Sequence, residues 1–486
     1  MIAWTPPHRI VAWPRGRYIQ LLLTQFGVPE VQKLLKDLLK KVTPEKAYLT
    51  MLPQLQSVVS AVLQASGDKL GAIFVLEQFQ KLLSLFDRAH AVETWKNVME
   101  AFAAPSAPGP FTDTTLVHNL GHIARQLHDS IDFNTCDDER RQLSVLINAY
   151  VRKVSFGLDF EAHLNFYVDA RANFHALDAV QDTIVEGAAN LAMRVRAQVH
   201  GRHTKKTAAF AKACCAFMFI TIPTIESPLL RLRLDCLGAQ VALCNGCIAQ
   251  VDAFFKAGLT LVPDALAPEG GKEPEGTQAI RDAHAREEGL VGLLAGAIAF
   301  LVAVPGHPKH GPFFLAQGAL NVIATAKWRL PSSRATLFAR MLALFGAYGQ
   351  TALPYRIPGV DSNDVLYASE PEYDAKLQEV ILAILTQMDA LITELSEVDK
   401  PDHAAKKALA TSAMALFDVT IAATTLTKPS ISLCTKLYGL ALKSDAAEKG
   451  RLKAAAATVA RRAAVHGGSY KELHTRLQAL LPPNKR

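Results

Sequence analysis

The sequence predicts an all-α protein, built as a HEAT-like α-solenoid of stacked antiparallel helix pairs. Apolar residues recur at spacings of three and four along most of the 486 residues, which is the period of one helix face. Alternating runs bounded by Asn-Gly or Asp-Gly turns, which indicate strands, are nearly absent. Breaks recur about every 20 residues, as short connections between paired helices would produce. Compact helical bundles are the alternative architecture.

Three segments show the helical period most clearly. In residues 31–42 the leucines and valines share one face and the lysines occupy the other. Residues 72–86 and 377–395 repeat this pattern, and each is predicted to form one helix. Thr43 followed by Pro44 predicts an N-cap with proline at the first helical position.

Turn-forming residues divide the predicted helices into segments. Residues 1–19 contain three prolines and no continuous apolar stretch, so we expect an irregular lead-in rather than a signal peptide. Residues 20–263 form the first half of the predicted solenoid, and 284–486 form the second. Between them, residues 264–283 begin with repeated proline and glycine, which predicts a flexible linker or loop.

Charge and cysteine content bound the function. The net charge of +7, from 52 basic and 45 acidic residues, is a weak bias over this length, which argues against nucleic-acid binding. The densest basic cluster contains Arg202, Lys205 and Lys206, which either meet an acidic partner or are simply solvated. Seven cysteines lie in predicted helices and fit a reducing cytosol rather than a disulfide framework.

One uncharged stretch imitates a membrane span. Residues 289–306 read GLVGLLAGAIAFLVAVPG, and the span would run from Leu290 to Val304. This length is borderline for a bilayer, and a helix that is apolar all round is equally typical of a buried inner helix. A membrane-anchored helical protein is therefore one alternative function.

The motifs that could carry chemistry are incomplete. His118 and His122 lie four residues apart, a spacing with which helices bind zinc, but Asn119 stands where a metalloprotease has its glutamate. A helical metallohydrolase is the second alternative. Cys244 and Cys247 form a lone CxxC without a second pair, so we expect them to be buried as small apolar residues. The sequence predicts no catalytic residue, metal or cofactor.

Several long strings carry a family resemblance. They include VSFGLDFEAHLNFYVDARANF from Val154, GAQVALCNGCIAQVDAFFKAGLTLVP from Gly238, VPGHPKHGPFFLAQGALNVI from Val304 and VDSNDVLY from Val360. Together with KKTAAFAKACCAFMFITIPTI from Lys205, they resemble the vacuolar-protein-sorting-thirty-five-like family, the large subunit of the retriever complex. The resemblance is to the C-terminal half of that family only.

The resemblance implies a non-enzymatic scaffold of an endosomal recycling coat, cytoplasmic and peripherally associated with endosomes. It implies that this half binds a small subunit with a metallophosphoesterase fold, and that the assembly joins the COMM-domain and coiled-coil proteins of Commander. The arrestin-like subunit is expected only where the N-terminal half is present.

Loops carry function more often than cores, so two loop regions are predicted to face partners, along with the basic cluster. The predicted partner-facing residues are His307, His310, Tyr355, Asp361, Asn363, Asp364, Tyr367, Arg202, Lys205 and Lys206.

Overall fold

Contacts divide the chain into two compact units. The first comprises the residues up to Leu191 together with Ile220–Ile225, and the second comprises Ala192–Phe219 and the residues from Glu226 onward. The computed structural model describes residues 25, 27–107, 109–268, 274–305, 312–350, 352–353, 356–367, 370–396, 403–443 and 449–480.

The described part of the first unit is built from α-helices joined by short turns and three 3-10 segments. Its helices are α1 Val28–Val42, α2 Leu52–Ser66, α3 Leu70–Phe74, α4 Glu77–Leu83, α5 Arg88–Ala103, α6 Thr114–Asp129, α7 Asp137–Lys153, α8 Phe160–Asn173 and most of α9, Asp178–Gln198. Helix α5 packs against α2, α6 and α7, and α6 packs against α7. Contact with both the next helix and the one after it is the packing of stacked helix pairs.

Residues 72–86 do not form the single helix that the periodicity predicts. The helix breaks after Phe74, Leu76 is extended, and α4 begins at Glu77. Phe74 and Phe79 are both fully buried, with ring centroids 6.0 Å apart. On a straight helix five residues apart they would point in different directions, so the break brings both rings into one core. The side-chain amide of Gln80 donates to the carbonyl of Phe74 (2.5 Å) and satisfies the broken end.

Aspartates start several helices of this unit. Asp87, Asp113 and Asp159 are the N-caps of α5, α6 and α8, and each accepts a hydrogen bond from a backbone N–H in the first turn. Thr43 occupies the predicted N-cap position, with proline as the first helical residue, but the helix is not an α-helix. Pro44 instead begins a 3-10 helix, and the Thr43 side chain makes no capping hydrogen bond.

The second unit continues the same construction. Its helices are α10 Lys205–Thr221 up to Phe219, α11 Pro228–Cys244, α12 Ile248–Thr260, α13 Val262–Leu266, α14 Thr277–Phe300, α15 Pro312–Thr325, α16 Pro331–Tyr348, α17 Asn363–Tyr367, α18 Pro371–Ser396, α19 His403–Ala423, α20 Lys428–Lys443, α21 Lys449–His466 and α22 Gly468–Leu480.

Packing in the second unit joins helices that are near one another in the chain. Helix α16 contacts α14, α15, α18 and α19, while α20 contacts α18, α19 and α22. Gly346 of α16 lies so close to α19 that a Cβ there would meet the carbonyl oxygen and Cα of Ala423 at 2.4 and 2.9 Å. Glycine is needed at this crossing because it lets the two backbones approach. The prediction of an all-α solenoid is confirmed.

A buried glutamate of α14 binds the residues at the start of α16. Glu287 is 3% exposed and accepts hydrogen bonds from the backbone N–H groups of Arg329 (2.8 Å) and Leu330 (2.9 Å). It also accepts from the hydroxyl of Ser333 (2.5 Å) in the first turn of α16. A carboxylate at a helix N-terminus satisfies free N–H groups and interacts favourably with the helix dipole.

The division of the chain differs from the sequence-based segments. The linker predicted over 264–283 includes the start of α14, which is helical from Thr277. The two compact units divide between Leu191 and Ala192, inside the continuous helix α9. A boundary inside a helix leaves no run of proline or glycine, so composition does not reveal it.

Candidate partner-binding surface

Residues 356–367 form a short folded segment of the second unit. Pro358 and Gly359 occupy the centre of a tight turn, which is closed by a hydrogen bond from the N–H of Val360 to the carbonyl of Ile357 (3.1 Å). Gly359 has φ of +81°, as the third position of a type II turn requires. The chain then enters the one-and-a-half turns of α17.

Asp364 holds this segment together. Its buried carboxylate accepts hydrogen bonds from the N–H of Leu353 (2.8 Å), the guanidinium of Arg356 (2.6 Å) and the hydroxyl of Ser362. Burial alone raises the pKa of Asp364, but the hydrogen bonds from Ser362 and Leu353 and the charge of Arg356 outweigh it, so the pKa lies below its ordinary value. Arg356 also donates to the carbonyl of Leu353 (2.9 Å).

Two other predicted residues of this segment also point inward. Asn363 is 2% exposed and lies beside Tyr373 of α18. The ring of Tyr367 stacks on the ring of Tyr373 with centroids 5.6 Å apart. The ring of Tyr373 in turn packs near that of Phe313 of α15, with centroids 6.4 Å apart. The α17 helix is therefore anchored to the helical core by Asn363, Asp364 and Tyr367. Because Asn363 and Asp364 are buried, they are not accessible to a partner.

The outward side of the same segment carries residues that the sequence analysis missed. Asp361, Val365 and Leu366 are exposed, with Val365 at 59% and Leu366 at 39%. The spacing provides the missed signal, because positions 363, 364 and 367 of a helix share one face and positions 361, 365 and 366 lie outside it. We name residues 361–367 the α17 segment. It presents two apolar side chains on a backbone that Asp364 already orders.

The basic cluster is exposed and lies at the start of α10. Arg202 is in the turn before the helix, and Lys205 and Lys206 are its first two residues. Hydrogen bonds between Thr204 and Thr207 fix the beginning of the helix. A helix N-terminus already carries positive partial charge, so these side chains concentrate positive potential at one place.

Three predicted residues, His307, His310 and Tyr355, lie outside the described part of the chain.

The histidine pair lacks the surroundings of a metal centre. His118 and His122 are both exposed on α6. Within the described ranges, no group of three or more His, Cys, Asp or Glu side chains is placed to hold a metal ion. The pair therefore has the setting of a polar helix face, and the metallohydrolase alternative gains no support.

The helix that is long and apolar enough for a membrane span is not the one that the sequence analysis considered. Residues 290–300 belong to α14, where Leu290, Leu294 and Ile298 are buried in the second unit. Across the described residues, Lys205–Thr224 is one helix long and apolar enough to cross a membrane, and 39% of its apolar window is buried. Leu52–Phe74 and Glu77–Leu83 pass the same criterion only when taken together across a bend of 106°. Core helices meet this criterion too, so it does not favour an anchor.

Stacked helix pairs are the construction of the α-solenoid class of proteins. The sequence profile of the family described as "VPS35L C-terminal domain" matches residues 16–481, nearly the whole chain. The chain therefore belongs to the VPS35L C-terminal domain family.

Relatives of this family are found in animals and amoebae. The chain is 35% identical over 376 residues to the Homo sapiens "VPS35 endosomal protein-sorting factor-like", which covers 76% of this chain and 38% of that protein. It is 34% identical over 373 residues to the Danio rerio protein of the same name, with the same two coverages. It is 30% identical over 427 residues to the Dictyostelium discoideum relative, and this match covers 88% of this chain and 42% of that protein. The chain thus spans about two fifths of these relatives' length.

Among solved structures, a circular tandem repeat protein aligns over 97% of this chain and 92% of its own, with a TM-score of 0.34 and 11% identity. A similarity of this size bears on neither fold nor function.

Proposed function

We propose that this chain is a non-enzymatic scaffold subunit of an endosomal cargo-recycling coat of the retriever kind. Membership of the VPS35L C-terminal domain family, whose profile matches residues 16–481, carries this proposal. The full-length relatives are named endosomal protein-sorting factor-like. A stack of helix pairs suits the role because it offers a long surface on which several partners can bind.

The partner proposed for this half is the small subunit with a metallophosphoesterase fold. The COMM-domain and coiled-coil proteins of Commander are proposed to join the same assembly. The arrestin-like subunit is proposed to require the part of the relatives that lies outside the match to this chain. The proposed location of the chain is the cytoplasmic face of endosomes. We propose that partner proteins, rather than a membrane span, attach it there.

We place the small-subunit contact at the α17 segment. Val365 and Leu366 are apolar side chains exposed on an already ordered backbone, so binding there loses little conformational entropy. Removing exposed apolar side chains from water favours association, and few residues of an interface contribute most of its affinity.

Co-purification tests this assignment directly. The tagged full chain, with its helical content verified by circular dichroism, is mixed with the purified small subunit, and the dissociation constant is measured by calorimetry. We expect Val365→Asp to weaken binding by about tenfold or more, since a central hot-spot residue contributes at least about 1.4 kcal/mol.

Val465→Asp is the matched control, because Val465 is also an exposed valine, at 77%, and belongs to a different helix, α21. It should bind as tightly as the unaltered chain. A folded chain that fails to co-purify contradicts the partner assignment. Equal affinities for the two variants contradict only the location at the α17 segment.

The basic cluster provides a second, independent contact to test. Reversing Lys205 and Lys206 to glutamate should lower affinity for any acidic partner of the assembly, and the loss should shrink as salt is raised, because exposed charges are screened. Assembly of the variant with wild-type affinity at low salt would show that the cluster contributes nothing to binding an acidic partner.

A further inference from the structure

Helix α10 exposes an apolar face that has lysines beside it. Its exposed residues recur at spacings of three and four, so they lie along one side of the helix. Within the second unit they are Lys205, Ala209, Lys212, Ala213, Ala216 and Phe219, and we name this set the α10 face. Fully buried residues occupy the opposite side of the helix: Ala211, Cys214, Cys215 and Met218. The helix is therefore held by its buried side, and the α10 face meets solvent.

The exposed side of this helix is unusually apolar. Among the described residues, Lys205–Thr224 is long and apolar enough for a membrane span, yet only 39% of its apolar window is buried. Phe219 is 41% exposed, and its ring packs edge-on against the ring of buried Phe254, with centroids 5.4 Å apart. That contact orders the exposed ring, so a partner that covers it loses little conformational entropy. Exposed apolar surface of this kind indicates an interaction site.

The charge of the α10 face is positive. No acidic residue stands between Glu186 and Glu226 in the sequence, and α10 has lysines but neither aspartate nor glutamate. Lys205 and Lys212 lie on the face itself, and the positive end of the helix dipole adds to the potential around Lys205. Complementary charges favour the right partner and like charges exclude the wrong one. An occupant of this face is therefore apolar in its centre and acidic at its edges.

The side chains in the centre of the face distinguish a protein helix from an anionic membrane. Helices that lie on membranes insert bulky residues such as tryptophan, phenylalanine and leucine, whereas the centre of the α10 face consists of Ala209, Ala213 and Ala216. Alanines bury little area in a bilayer. They do let a second helix approach closely, so that its larger apolar side chains fill the shallow space between the methyl groups. The face therefore suits a helix better than a lipid surface.

We propose that the α10 face is the binding site for an acidic amphipathic α-helix of a partner protein. The apolar stripe of that helix covers the alanines and Phe219, and its carboxylates lie beside Lys205 and Lys212. Apolar side chains at spacings of three and four provide the affinity in this mode of recognition, and the charges fix the orientation. The inference rests on the proposed role of the chain as a scaffold, and it extends the contact proposed for the basic cluster by naming the apolar residues and the kind of partner.

Fluorescence anisotropy of a labelled peptide mixed with the purified full chain tests the site. The probe is a synthetic helix about as long as α10, with leucines at spacings of three and four, glutamates beside them and alanine elsewhere. A second peptide has the same composition in a shuffled order, which removes the apolar stripe. We expect the shuffled peptide to bind at least about tenfold more weakly than the striped one. Equal binding of the two peptides, or no binding of the striped peptide, would overturn the proposal.

One substitution in the centre of the face, with a matched control, locates the binding. Ala213→Glu places a carboxylate against the acidic helix and should raise the dissociation constant at least about tenfold, because like charges in an interface repel. Ala454→Glu is the control, since Ala454 is an exposed alanine of α21, another helix with basic and no acidic residues. It should change the dissociation constant by less than about twofold. Circular dichroism verifies that both variants fold. An equal loss in the two variants would show only diffuse attraction between opposite charges and would contradict the site.

Two comparisons separate this inference from its neighbours. Vesicles of phosphatidylcholine and phosphatidylserine test the membrane alternative: vesicle binding that Ala213→Glu abolishes, in a chain that does not bind the striped peptide, would replace the proposed helix by a lipid surface. Peptide binding is measured on the chain alone. Loss of peptide binding therefore contradicts this inference only, whereas failure to co-purify with the small subunit contradicts the coat proposal only.

Discussion

Replacing Asp364 by alanine should loosen the α17 segment without unfolding the helices around it. The carboxylate accepts from Leu353, Ser362 and Arg356, and each hydrogen bond to a charged group contributes about 1.5–3 kcal/mol. The Arg356 side chain is 44% exposed, so solvent screens its ion pair and water can take over its hydrogen bonds. The buried Leu353 amide and the Ser362 hydroxyl then account for most of an expected loss of about 3 kcal/mol.

Hydrogen–deuterium exchange measures this loss where it occurs. The free energy of local opening falls by about 3 kcal/mol, so the amides of Val365 and Leu366, which donate to the carbonyl of Ser362, should exchange roughly a hundredfold faster. Asp361→Ala, at an exposed carboxylate of the same segment, is the matched control and should change exchange by less than about threefold. Equal exchange in the two variants would show that Asp364 does not hold the segment.

The remaining predictions concern charge, capping and close packing. Because the pKa of Asp364 is lowered on folding, exchange protection of the α17 segment should be unchanged from neutral pH down to the ordinary carboxyl range and lost as the pH falls below 3.8. Glu287→Gln should lower the free energy of unfolding by about 2–3 kcal/mol in urea titrations, because an amide cannot accept all three hydrogen bonds. Glu288→Gln, at the exposed neighbour, should change it by less than about 0.5 kcal/mol. Gly346→Ala should lower the thermal midpoint, at a cost of about 1–3 kcal/mol, through the clash with α19. Gly292→Ala, where a Cβ meets open space within α14, should raise stability by about 0.5–1 kcal/mol; a lower midpoint for both glycine variants would refute the close-packing argument.

The helices that could be predicted are those whose burial follows one face. The segment predicted over 377–395 lies within α18, and the one predicted over 31–42 lies within α1. The segment over 72–86 fails because its buried residues do not follow a single helix face, as the pairing of Phe74 with Phe79 shows. Periodicity describes only neighbours along one helix. The break after Phe74 depends instead on the aromatic cluster that Phe74 forms with Phe79 and Phe102.

The candidate site could be located from the sequence but not oriented. The loop with Asp361 was predicted as partner-facing, and whether any partner binds it stays a prediction. The sequence predicts that Asn363 and Asp364 face a partner, but both are buried, because Asp364 bonds to Leu353 and Arg356 and Asn363 lies against α18. A buried carboxylate is stable only where such partners converge, and their convergence is not written in the local sequence.

The sequence by itself determined the all-α class, the helical core faces and the family, because spacings of three and four residues and long matching strings are properties of the chain. Only the tertiary structure decided which side of the α17 segment meets solvent and that the buried carboxylate of Glu287 meets Ser333 in the first turn of α16. Those outcomes depend on contacts between residues tens of positions apart. Such contacts are set by how helices pack against one another, and the same helical pattern is compatible with many packings.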